Sequence, residues 1–200
     1  VPKATFLNLS AARRREIDQL LVETFYDTPA SQVKVATIVA KMGMSRGAFY
    51  KYFANINDAF TYTLRQNAKV IRHDILYSID DSDDNFFDGI ENYLRWCTRL
   101  SRNSYYWQRL SLLTRSTTEL AYREVRVIDS SSDFIKQVIA VIRQNQLNID
   151  SDDEMISFLY FMLECIISSI NDYIVNQWTT EQLLTDFRYK RKWLVTNLAD

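Results

Sequence analysis

Thr37-Ile38-Val39-Ala40-Lys41-Met42-Gly43-Met44-Ser45-Arg46-Gly47-Ala48-Phe49-Tyr50-Lys51-Tyr52-Phe53 is the stretch that decides how this chain reads. It predicts two short helices joined by a tight turn at Gly43. The first carries Ile38 and Val39. The second begins at Ser45 and sets Phe49 and Phe53 four residues apart, on one face. Together they form a helix-turn-helix over roughly 34–53, whose second helix displays Arg46, Tyr50, Lys51 and Tyr52. A helix of that size suits the major groove, so double-stranded DNA is the expected partner.

Working outward, Ser10 is placed to cap a helix to about Asp27, with Ile17, Leu20, Leu21 and Phe25 as its apolar stripe. Thr28-Pro29-Ala30-Ser31 breaks it. On the other side, Asn55 and Asp58 predict the cap of a long helix through about Ile79. Asp80-Asp81-Ser82-Asp83-Asp84 then reads as a solvated break. It lacks the Gly and terminal Glu of a calcium loop. Helices follow near 85–101, 104–114 and 117–146, the last with a bend at Ser130-Ser131-Ser132. Ser151-x-x-Glu154 opens a strongly apolar helix to about Gln177. Thr179-x-x-Gln182, with Trp178 and Leu183 as a hydrophobic staple, opens a final one to about Leu198. The expectation is an all-α chain of about nine helices, with a DNA-binding head at 1–54 and a helical body at 55–200.

Bulk composition agrees. At 47% apolar the 200 residues can bury a core, and three glycines and two prolines are too few for a turn-rich sheet protein. Net charge is −1, but residues 1–60 carry +3 and the remainder −4, a basic head on an acidic body. Cys97, Cys165 and the single histidine, His73, match no zinc spacing and read as reduced structural residues, with no metal or cofactor expected. No segment reads as a membrane span, and the first ten residues lack a signal peptide's charged-then-apolar layout. One histidine, no nucleophile motif and no Gly-rich phosphate loop argue against an enzyme.

Residues 10–60 resemble the TetR family of bacterial transcriptional regulators. The family pattern, Ile-Ala-x-x-Ala-Gly-Val-Ser-x-Gly-x-Phe-Tyr-x-x-Phe, stands here from Ile38 to Phe53, with Gly43, Ser45, Gly47 and the aromatic cluster at the family's spacing. Two positions depart from it. Val39 and Met42 replace small residues in the first helix, which implies looser or shifted packing between the two helices. Ile56 stands where the family usually has a phosphate-touching lysine. That loss should flatten the salt dependence of binding by about one charge's worth.

Within the head, Ser45 can cap the recognition helix or donate to a phosphate. Arg46 can read guanine O6/N7 or hold a phosphate. Gly47 and Ala48 are small enough to let the helix approach the groove floor, and Ala48 can meet a thymine methyl. Tyr50 and Tyr52 read as phosphate clamps, as the family's aromatics do, or as packing. Lys51 offers a backbone cation. Lys34 and Thr37 are candidate phosphate ligands at the start of the preceding helix. Arg13, Arg14 and Arg15 form either a phosphate rake or a solvated face.

One such head buries too little DNA for strong specificity, so a homodimer on a palindromic operator is expected. The helix at 155–175 is apolar on nearly every side, which suits burial against both its own core and a partner. With the last helix it implies the family's four-helix interface, through Phe158, Met162, Glu164, Ile166, Ile170, Phe187 and Leu194. Glu164, inside the apolar run, would face an arginine across the dimer or a cationic ligand. The resemblance also implies a cavity for a small effector among the middle helices. Its candidate lining is Tyr93, Trp96, Tyr106, Trp107, Tyr122, Phe134 and Phe161, residues that equally suit plain core. The implied function is a cytoplasmic repressor released by a small molecule. The alternative is a coactivator or DNA-architectural protein of the same fold whose body binds a protein.

Overall fold

A computed structural model describes residues 2–82, 85–116, 133–145 and 147–198. Among these are ten helices and no strand. They are α1 (Ala4–Leu7), α2 (Ala11–Asp27), α3 (Val35–Lys41), α4 (Arg46–Tyr52), α5 (Ile56–Asp80), α6 (Phe86–Thr98), α7 (Tyr105–Arg115), α8 (Asp133–Gln144), α9 (Asp152–Val175) and α10 (Thr180–Leu198). The all-helical expectation holds. The helix added is α1, four residues with no periodicity to betray it. The region expected to bend near Ser130-Ser131-Ser132 lies outside the described residues.

Local signals set most helix starts. Ser10, Ser45, Asn85, Ser104 and Ser151 each accept a backbone N–H of the first turn of α2, α4, α6, α7 and α9. Asn55 accepts from Asp58 N at 2.9 Å while Asp58 accepts from Ala54 N at 2.9 Å, starting α5 as expected. Thr179 and Gln182 complete a reciprocal box on α10, at 3.3 and 2.8 Å.

The chain forms two compact units, divided between Lys69 and Val70 within α5 and again between Leu100 and Ser101. The first holds α1–α4, the start of α5, and α7. Its core joins Phe6, Ile17, Leu21, Phe25, Ile38, Phe49, Phe53, Leu64 and Leu112. Val39 and Met42 are buried members of that core, and Ile56 packs against it. The apolar side chain at position 56 is thus used for packing. The second unit holds the end of α5 with α6 and α8–α10. There α5 and α6 meet at Gly89, where a Cβ would lie 2.4 Å from Ile79 Cα, so only glycine fits. Ser78 donates to the Gly89 carbonyl at 2.9 Å.

In the second unit α9 packs on α6, α8 and α10. It corrects one expectation, because by length and mean hydropathy, 1.4, it does qualify as a candidate membrane span. Nine of its side chains, Met155 to Ile170, are buried within the protein. Phe161 and Val175 of the same helix stay exposed. Cys97 is buried, which pushes its thiol up to about 12, and Cys165 is half-buried. Neither is in a disulfide.

Candidate nucleic-acid interface

The site is built by α3, the turn and α4. Met42 closes α3, and Gly43 takes φ +60°, the left-handed turn that lets the chain reverse. Met44 N donates to Val39 O at 3.0 Å across that turn. Ser45 then starts α4, its Oγ accepting from Ala48 N at 3.2 Å. Phe49 and Phe53 are both 0% exposed and fix one face of α4 in the core, with ring centroids 5.7 Å apart.

Fixing that face leaves the opposite one outside. Ser45, Arg46, Gly47, Tyr50 and Lys51 are exposed, and Ala48 is half-buried. Tyr50 is 48% exposed with its ring edge-on to Phe49. Gly47 has open space around it: a Cβ there would meet nothing nearer than Ser45 Oγ at 3.7 Å. The fold therefore does not require glycine at 47. Tyr52 stands apart from this face. It is half-buried with its ring edge-on to Phe6, at 5.7 Å. Lys34 and Thr37 are exposed at the start of α3, where the Lys34 side chain makes no cap.

Two cations bind carbonyls at the ends of the motif's helices. Lys3 N–H donates to Tyr52 O at 2.9 Å, and its Nζ donates to Tyr50 O at 2.7 Å. Arg13 Nη2 donates to Met42 O at 3.2 Å, while its Nη1 pairs with Glu16 at 2.6 Å. Arg13 is thus engaged within the protein, whereas Arg15 is exposed. Neither Lys3 nor Phe6 stood out in the sequence, because both act on residues more than forty positions away. Nearby, the Tyr62 hydroxyl donates to Asp18 at 2.8 Å and ties α5 to α2. Burial there raises the Asp18 carboxyl above its ordinary value.

The expected interface residues on α9 and α10 divide differently. Met162, Ile166, Ile170 and Phe187 are at most 1% exposed, each covered by its own chain. They are corrected to core: an all-round apolar run gives no sequence clue to which side faces inward. Phe158 and Leu194 are half-buried, and Glu164 is exposed. Among the described side chains of these helices, the large exposed apolar ones are Phe161, Val175, Tyr189 and Trp193.

Of the effector candidates, Tyr93 and Trp96 meet, with ring centroids 5.9 Å apart. Tyr93 and Trp107 are buried and Tyr106 half-buried. Trp96 and Phe161 are 43% and 47% exposed, too open to line an enclosed cavity. Tyr122 lies outside the described residues, as does the side chain of Phe134. Sequence reasoning missed Asn67 on α5. It is 1% exposed, and neither amide atom has a hydrogen-bond partner.

Comparison with known proteins follows the same lines. The family described as "Tetracyclin repressor-like, C-terminal domain" matches residues 85–196. No curated protein sequence matches the chain. Among solved structures, a TetR-like transcriptional regulator from Rhodococcus sp. RHA1 superposes with TM-score 0.54 at 13% identity, over 90% of this chain and 93% of that one. A TetR family member from Streptomyces coelicolor A3 gives 0.57 at 12% identity, over 88% and 96%. The multidrug binding protein EbrR, complexed with imidazole, gives 0.61 at 13% identity, over 94% and 96%. At these identities the structures speak to the fold.

Proposed function

From the premise that the chain belongs to the TetR family of transcriptional regulators, we propose that it is a repressor: a homodimer that binds a palindromic operator through α3 and α4 and is released by a small molecule. The observation that carries this reading is the two-sidedness of α4. Phe49 and Phe53 lock it to the core, while Arg46, Gly47, Tyr50 and Lys51 face solvent. In this reading residues 1–54 are the DNA-binding part. Arg46 reads a base edge, Gly47 and Ala48 allow close approach, and Ser45, Tyr50, Lys51, Lys34 and Thr37 hold phosphates. Tyr52 is assigned to packing against Phe6. The protein would act in the bacterial cytoplasm, on the nucleoid when bound.

The dimer would use the outward faces of α9 and α10, with Phe161, Glu164, Tyr189 and Trp193 in place of the buried residues of the same helices. Support comes from four large apolar side chains left exposed there. For the effector, support comes from Asn67. A buried amide without a partner costs roughly 1–3 kcal/mol per group, so a polar ligand group or a water belongs beside it. Release requires the effector to bind the non-binding geometry of the two heads better than the operator-bound one.

The test is selection of duplexes from a randomised palindromic library, with Arg46→Ala alongside wild type. The expected result is a palindrome with half-sites one helical turn apart. Arg46→Ala should lose about 1–3 kcal/mol at one base position per half-site. Equal loss on every sequence would reassign Arg46 to a phosphate, and no enrichment of any duplex would refute the reading.

A further inference from the structure

Lys3 and Arg13 belong to the basic head, where cations are ordinarily counted toward phosphate contacts. Their geometry assigns them elsewhere. The last carbonyls of a helix have no partner within it and form the negative end of its dipole. In α4 two of those carbonyls, Tyr50 O and Tyr52 O, accept the Lys3 ammonium and the Lys3 backbone N–H, at 2.7 and 2.9 Å. At the end of α3, Met42 O accepts the Arg13 guanidinium at 3.2 Å. Both helices of the motif are only seven residues long, too short to hold themselves together in water. Each is finished by a cation from a preceding segment.

The Lys3 attachment is also anchored. Three residues on, Phe6 is 0% exposed, with its ring centroid 5.0 Å from Phe53, 5.7 Å from Tyr52 and 5.1 Å from Tyr62. Phe6 thus plugs the core beneath the end of α4, and Lys3 closes over it.

We propose that Lys3, seated by Phe6, and Arg13 are positioning residues of the DNA-reading motif: they set the ends of α4 and α3 and contribute to affinity through helix placement, without touching phosphate. The proposal rests on the DNA-binding reading, and one arm of its test does not need DNA.

The full-length protein is compared with Lys3→Met, which keeps the aliphatic stem and the backbone N–H but removes the ammonium, and with Lys3→Arg, which restores a charged donor. Arg13→Met and Arg13→Lys form a second set. The first readout is amide hydrogen exchange without DNA. In Lys3→Met the amides of Tyr50 to Phe53 should exchange about fivefold faster, consistent with one charged hydrogen bond lost at a surface site. Those of α2 and α7 should be unchanged, and Lys3→Arg should return the wild-type pattern. In Arg13→Met the faster amides should be those around Met42 to Met44. The second readout is the dissociation constant against salt, on the duplex recovered by selection. Lys3→Met should weaken binding about fivefold at every salt concentration, with an unchanged slope.

A slope reduced by about 0.9, with exchange in α4 unchanged, would make Lys3 a phosphate contact and overturn the proposal. Unchanged exchange and unchanged affinity would also overturn it, leaving a surface contact of no consequence. Loss of folding in Lys3→Met would be read against Lys3→Arg: failure of the arginine to restore the α4 pattern overturns the positioning role. If wild type binds no duplex, the functional reading fails while the exchange arm still decides what Lys3 does.

Discussion

The helix-turn-helix and the α9–α10 pair are both helical hairpins, yet they yield to sequence reasoning very differently. In α4 the apolar residues occupy one face and the outer face carries Arg46, Gly47 and Lys51, so hydrophobic spacing alone separates core from surface. In α9 Leu, Ile, Met and Phe occur on nearly every side, so spacing cannot distinguish a residue covered by its own protomer from one left bare. A pattern with contrast specifies orientation. A saturated pattern specifies only burial.

The largest effect that sharpens this comparison comes from the buried members of each pair. Phe49→Ala should cost about 3–5 kcal/mol and Ile166→Ala about 2–5 kcal/mol, in denaturant unfolding of the whole chain. Both are 0% exposed, so they should behave alike although only Phe49 was legible as core from the sequence. A loss under 1 kcal/mol for Ile166→Ala, or a loss visible only on dimerisation, would return that residue to the partner-facing set.

A smaller effect separates the two sides of α9. Phe161→Glu places a charge at a position 47% exposed, so the protomer should fold as before. If the proposed interface is right, the dimer should weaken by about 2 kcal/mol or more, roughly thirtyfold, in sedimentation equilibrium. An unchanged dimer would move the interface off this face.

The smallest effect lies on α4. Gly47→Ala meets no obstacle within the protein and replaces a poor helix former, so stability should rise by about 0.5–1 kcal/mol. Affinity for the selected duplex should nevertheless fall, because the added methyl stands where the helix would approach the groove. A stability gain with no loss of binding would place the DNA on another surface.

What the sequence showed and what it hid follow one physical division. Caps at Ser10, Ser45, Asn55 and Thr179 were readable because donor and acceptor lie within four residues. The strap from Lys3 to Tyr50, the plug of Phe6 under Phe53 and the approach of Gly89 to Ile79 pair residues ten to forty-seven positions apart. No local pattern announces such a pairing. The motif's core and its outward residues were therefore legible, whereas the long-range contacts at its helix ends were not. On α9 and among the aromatic middle helices, composition gave the fact of burial but not its direction. Trp96 and Phe161, read as pocket lining, proved exposed for that reason.

The most direct measurement is amide hydrogen exchange of the wild-type protein with and without the selected duplex. The account predicts new protection in α4 and the first turn of α3, centred on Ser45 to Lys51, with α9 and α10 unchanged. Protection by DNA that spares α4 and falls on another element would contradict it.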